Sequence, residues 1–281
     1  MSTICNTVIS DVSGKKAAAL NTLHAIFAIG ALLGPIFLYI NSDFFNWSWK
    51  GTARMIGALG LIVLIVIAVS KLPGKLPGKE KAVGGKGILR SKLFWINTGI
   101  LFFYLAAEAS IIGWFVTYFT DLGILSPNIS SFTPTMLWLM IMLGRVSCAI
   151  FSERVNKNML ILGLGLAFTA FFTAMLFSKS GPVIIICLLG IGFSMAGIYP
   201  TTFSSMKDLS SSAANGLCIG VATVGAIIMP SIIGAVADAR GLFGGVAVIL
   251  TACAGMVALM VMKLWTSKEN GRFSVSSIAK D

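Results

Sequence analysis

The stretch LFWINTGILFFYLAAEASIIGWFVTYF, residues 93–119, decides the fold. It runs apolar for long enough to cross a membrane as a helix, which takes about 20 residues. No alternating polar pattern of a barrel strand interrupts it. One acid, Glu108, sits near its middle with no neighbouring base in the sequence. A charge at the bilayer centre costs at least ~2.5–3.5 kcal/mol, so such a residue is placed toward a bundle interior or a water-filled cavity.

The rest of the chain has the same character. Of its 281 residues 57% are hydrophobic and 11% charged, with a mean hydropathy of +0.92. Soluble domains carry about 25% charge, so a water-exposed surface of this composition is excluded. Gly, Pro, Asn and charged residues divide the chain into eight apolar segments, at roughly 18–40, 51–70, 93–120, 132–152, 159–177, 182–205, 213–237 and 242–263. Each must bond its own backbone inside the hydrocarbon, so each is read as a helix. The fold class expected is an all-α polytopic membrane protein of about eight transmembrane helices.

The net charge of +11 is a topology signal rather than a nucleic-acid footprint. With the N-terminus inside, sixteen basic residues fall on that side and four, Lys50, Arg54, Lys179 and Arg240, on the other. This predicts both ends in the cytoplasm. The N-terminus lacks the basic-then-apolar pattern of a cleavable signal peptide, so insertion is assigned to the first span. The domains expected are 1–70 with two spans, a basic linker 71–92, a six-helix bundle 93–265 and a cytoplasmic tail 266–281. The linker, KLPGKLPGKEKAVGGKGILRSK, reads as a solvated connection whose cations also suit an anionic lipid surface.

Cys5, Cys148, Cys187, Cys218 and Cys253 are scattered and His24 is the sole histidine. This spacing fits no zinc site or disulfide framework, and no metal or cofactor is expected. No Ser/His/Asp set or HExxH motif points to an enzyme. Asn97, Tyr104 and Glu108 fall within about 40° on one helical stripe, and Trp114 adds aromatic surface. They are the candidate substrate and proton pathway. Two roles stay open for Glu108: a proton carrier lining a solute path, or a protonated acid bonding a neighbouring helix. Arg145, inside its span, requires an acid or carbonyl partner. With Glu153 and Arg154 it forms a candidate gate, the alternative being a topology anchor. Gly30/Gly34, Gly190/Gly192/Ala196 and Gly216/Gly220 are small-residue patterns that permit close helix approach. Pro35, Pro200 and Pro230 are candidate kinks. Asn21 and His24 share a face at the start of the first span, where a helix-end contact is the simpler reading.

Five segments together resemble the major facilitator superfamily, in the branch of fucose-permease-like sugar porters. LNTLHAIFAIGALLGPI (20–36) is similar to its fifth helix and YLAAEASIIGWFVTYF (104–119) to its seventh. LWLMIMLGRVSCAIFSERVNK (137–157) resembles the eighth and its loop, with Glu153, Arg154 and Lys157 keeping acid, base and base of the superfamily motif. GIGFSMAGIYPTTFSS (190–205) and NGLCIGVATVGAIIMPSIIGAVADARG (215–241) resemble the tenth and eleventh.

The resemblance implies a chain holding helices five to twelve, with residues 1–17 matching the end of the fourth. It implies a secondary carrier in the plasma or inner membrane that moves a small polar solute, with sugar and proton as the expected cargo and coupling ion. A carrier missing four helices is expected to be incomplete alone, or to require a chain supplying them. An exporter of amphipathic compounds, and a transport-incompetent fragment or interaction subunit, are the alternatives. Besides the solute and the bilayer, no nucleic-acid partner is expected.

Overall fold

The computed structural model describes residues 5–6, 8–9, 13, 16–70, 88–152, 154–206 and 212–278. Nine helices account for the described chain beyond residue 13: α1 Lys16–Phe44, α2 Trp49–Val69, α3 Lys92–Leu122, α4 Pro127–Phe151, α5 Lys157–Phe177, α6 Gly181–Met195, α7 Ile198–Ser204, α8 Ser212–Ala247 and α9 Ile249–Ile278. Six stretches among the described residues are long and apolar enough to cross a membrane, and Ala18–Gly34 is a shorter apolar helix. One of the six is the 55-residue run Ala213–Ser267, which holds both α8 and α9. The protein is an integral membrane protein.

Local signals set the helix ends. Ser91 accepts from Phe94 N–H at the start of α3, and Gly123 ends it in the left-handed conformation (φ 63°). Ser126 accepts from Ile129 N–H, with Pro127 in the first turn of α4. Asn156 Oδ1 accepts from the amides of Asn158 and Met159 at the start of α5. Each fills an amide that a helix start otherwise leaves open.

The last two apolar segments part where the sequence divided them, between residues 237 and 242. Helical hydrogen bonding runs on to Ala247, broken at Gly241 (φ 79°, ψ 164°), a conformation favouring glycine. Beyond it α9 continues to Ile278, so the segment expected as a tail from residue 266 is helical over most of its length. No proline stands there to stop it. The basic linker falls largely on residues 71–87, outside the described residues.

Helix α3 is the hub. It packs against α8, α9, α4 and α7, and its buried face carries Phe94, Ile100, Tyr104, Ile111, Phe115 and Phe119. Helix α1 lies against α4 and α7, on the far side of the linker in sequence. Helix α2 touches chiefly α1, and only 6% of its apolar window is buried within the chain.

Glycine lets α4 and α6 meet. A Cβ on Gly144 would sit 2.6 Å from the Phe193 carbonyl oxygen, and one on Gly192 would sit 2.9 Å from that of Leu137. Helices α4 and α6 therefore touch backbone to backbone, as close packing in lipid requires. The expected role holds for Gly190, which faces the Phe171 ring, and for Gly192. It does not hold for Gly30, Gly34, Gly216 and Gly220, which have open space where a Cβ would stand. Small residues permit an approach; they do not supply the neighbour.

Candidate functional site

The polar residues in α3 and α4 converge on one cavity of about 360 Å³. Its wall is built from five helices. Helix α1 contributes His24 and Phe27, α3 contributes Tyr104 and Glu108, α4 contributes Trp138 and Arg145, and α7 contributes Tyr199, with Thr223 of α8 closing the ring. Spacings of three, four and seven residues bring these side chains to one face of each helix.

At the centre stands a charged cluster. Tyr104 Oη donates to Glu108 Oε1 at 2.7 Å. Arg145 Nη2 lies 3.9 Å from the same oxygen. Arg145 Nη1 donates to the His24 carbonyl at 2.8 Å, tying α4 to α1. Arg145 is only 4% exposed and its Nε has no partner among the described residues. His24 Nε2 is likewise buried and unpartnered, and the His24 ring meets Tyr199 edge-on at 5.2 Å. Tyr199 in turn lies 6.1 Å from Tyr104, ring to ring. Phe27 and Trp138 form an edge-to-face pair across the α1–α4 contact, 5.8 Å between centroids.

Of the sequence-derived pathway, Glu108 and Tyr104 meet here and Asn97 and Trp114 do not line the cavity. Asn97 shares their stripe but lies eleven residues before Glu108, about 16 Å along the axis at 1.5 Å per residue. It belongs to a second polar cluster near the start of α3, where Ser205 Oγ lies 3.3 Å from Asn97 Oδ1 and accepts from Lys263 Nζ at 2.7 Å. Trp114 Nε1 donates to the Pro230 carbonyl at 3.2 Å and its ring covers Gly234, joining α3 to α8.

Of the candidate gate, Arg145 lies in the cavity, hydrogen-bonded to the His24 carbonyl, with the Glu108 carboxyl 3.9 Å away. Arg154 is exposed at the end of α4, and Glu153 lies outside the described residues. His24 is not a helix-end contact, because α1 begins two turns earlier and places it in the wall. Tyr199 was missed as a site residue. A tyrosine before a proline in an apolar helix was its one signal, and what gives it a role is the approach of α1 and α3.

The described residues contain no cluster of side chains suited to a metal. The buried thiols Cys148, Cys187, Cys218 and Cys253 are unpaired and set in the helix packing. A larger, more open depression of about 610 Å³ is formed by Asn46–Met55 at the α1–α2 turn. It holds Lys50 and Arg54 but no buried charged side chain.

A family profile described as Major Facilitator Superfamily matches residues 1–224. Two solved structures share the fold with a TM-score of 0.72 each. One is a major facilitator transporter, FucP, in the outward conformation, at 17% identity. The other is of the E. coli fucose:proton symporter FucP, at 18% identity. Each likeness covers 93% of this chain and 72% of the other. No curated protein sequence matches.

Proposed function

The chain belongs to the major facilitator superfamily, and from that premise we propose that it carries a small polar solute through the cavity around Glu108 and Arg145, driven by protons. The observation that supports this reading is the cluster itself. A carboxyl, a phenol and a guanidinium face a cavity between helices from both sides of the linker. In transporters of this kind, solute sites lie at such a repeat interface and one bundle rocks against the other.

The division of roles follows from the contacts. Glu108 takes and releases the proton. Tyr104 orients it. Arg145 bridges to α1, so a change in its pairing with Glu108 reaches the helix that must move. A sugar-like solute suits the unpartnered His24 nitrogen and the aromatic pair of Phe27 and Trp138. By this reading both ends of the chain are cytoplasmic and the membrane is the plasma or inner membrane, as the charge distribution supports.

The test is uptake of labelled solute into proteoliposomes under an imposed pH gradient. Glu108→Gln is expected to remove the response to the gradient while exchange of solute without it continues. Tyr104→Phe is expected to weaken uptake about ten- to a hundredfold, since a hydrogen bond to a charged group contributes about 1.5–3 kcal/mol. Gradient-driven uptake that is unchanged in Glu108→Gln would overturn the reading.

A second reading, export of amphipathic compounds, is favoured by the apolar part of the wall, to which Phe27, Leu105, Ile112, Trp138 and Ile219 contribute large side chains. Competition by hydrophobic cations but not by sugars or sugar acids would select it.

A further inference from the structure

We propose that the solute is a sugar acid, a hydroxylated carboxylate, rather than a neutral sugar. This rests on the transport reading above and narrows it through Arg145.

The guanidinium is the starting point. Arg145 is almost fully buried, yet its pairing is incomplete. One Nη bonds the His24 carbonyl, the other stands 3.9 Å from Glu108, and Nε has no partner among the described residues. The Glu108 oxygen nearest to it already accepts from Tyr104. The fork is therefore held beside an acid without being bonded to it. A guanidinium matches a carboxylate with two parallel hydrogen bonds, and such bonds are roughly twice as strong as neutral ones.

Charge balance points the same way. Among the residues lining the cavity, Arg145 and Glu108 carry the formal charges. When Glu108 holds the coupling proton, Arg145 is left as an uncompensated cation within the membrane. A neutral sugar entering then leaves that cation unpaired, at the cost that burial of a lone charge carries. A carboxylate entering with the proton compensates it. The proton goes to a Glu108 oxygen, the solute carboxylate to the guanidinium, and both are released on the far side. The step moves one positive and one negative charge together, so the net charge carried by the solutes is zero. Tyr199 and the open nitrogen of His24, both in the cavity wall, remain to meet the solute hydroxyls.

The experiment is equilibrium binding by calorimetry to the full chain in lipid nanodiscs, comparing galacturonate with galactose. The two share a skeleton and differ in the carboxylate. Galacturonate is expected to bind at least about tenfold tighter, a difference of about 1.4 kcal/mol. Arg145→Gln is expected to remove that preference. Should this variant fail to fold, Glu108→Gln still decides. With no carboxylate to compete for Arg145 or to repel the ligand, it is expected to bind galacturonate more tightly than the unaltered chain at neutral pH.

Galactose binding as tight as galacturonate, and weakened by Glu108→Gln, overturns the sugar-acid assignment and leaves the transport reading standing. Binding of neither ligand overturns both. Galacturonate binding that Arg145→Gln leaves unchanged in a folded protein overturns the role of the guanidinium, and with it the proposal.

Discussion

Arg145 and Glu108 depend on each other for more than solute binding. Breaking a buried pair by removing one partner costs about 3–5 kcal/mol, because the other charge is left uncompensated. Arg145→Gln is therefore expected to lower the thermal midpoint in detergent, and Arg145→Gln with Glu108→Gln together to recover much of the loss. Equal, additive losses would show that the 3.9 Å pair is not energetically coupled. These residues were visible in the sequence because each is a charge in an apolar helix, and such a charge has few tolerable environments. Asn97 was visible too, but its helical angle was legible and its depth relative to a partner helix was not. His24 and Tyr199 carry no charge signal in this sense. They enter the site only because α1 and α7 lie against each other, a contact that no local pattern encodes.

Two polar or small-residue devices hold the helices together, and they predict opposite mutational signs. Lys263 is 2% exposed, and the one hydrogen bond described for its Nζ goes to Ser205. Ser205→Ala leaves that buried ammonium without its acceptor and is expected to destabilise by about 1–3 kcal/mol. Lys263→Met removes the need for the bond, keeps an unbranched apolar stem, and is expected to be neutral or stabilising. Thermal unfolding that ranks Lys263→Met below Ser205→Ala would show instead that the ammonium is required. The α4–α6 contact behaves otherwise. Gly144→Leu drives a side chain into the Phe193 carbonyl, which is backbone and cannot rotate away. Overpacking of this kind costs about 1–3 kcal/mol or more. Gly216→Ala, with open space at its Cβ, serves as the tolerant control. The helices themselves were legible from length and apolarity. The break between the last two spans was legible as well, since the apolar runs part at residues 238–241 and the backbone leaves helical geometry at Gly241; the short helical stretch from there to Ala247, ahead of α9, was not.

At the scale of the molecule, burial is distributed unevenly. Helix α3 has 44% of its apolar window buried within the chain and α2 has 6%. Leu61 and Leu64 on α2 are each 58% exposed, whereas Ile100 on α3 is fully buried. In a bilayer such a surface is solvated by acyl chains, and a larger apolar side chain there meets fluid lipid rather than a fixed neighbour. Leu61→Trp and Leu64→Trp are therefore expected to leave folding within about 0.5 kcal/mol of the unaltered chain, as substitutions away from packed features do. Ile100→Trp is expected to abolish it, because the core around α3 has no room for the added volume. Monodispersity and thermal midpoint in detergent, followed by the added quenching by brominated lipid that each α2 substitution brings, check both statements. Strong quenching places α2 against lipid. Tryptophans that fold badly or resist quenching would show that protein covers this helix in the membrane, whether further helices of a longer protein or a second chain, and the transport assays would then have to be made on that assembly.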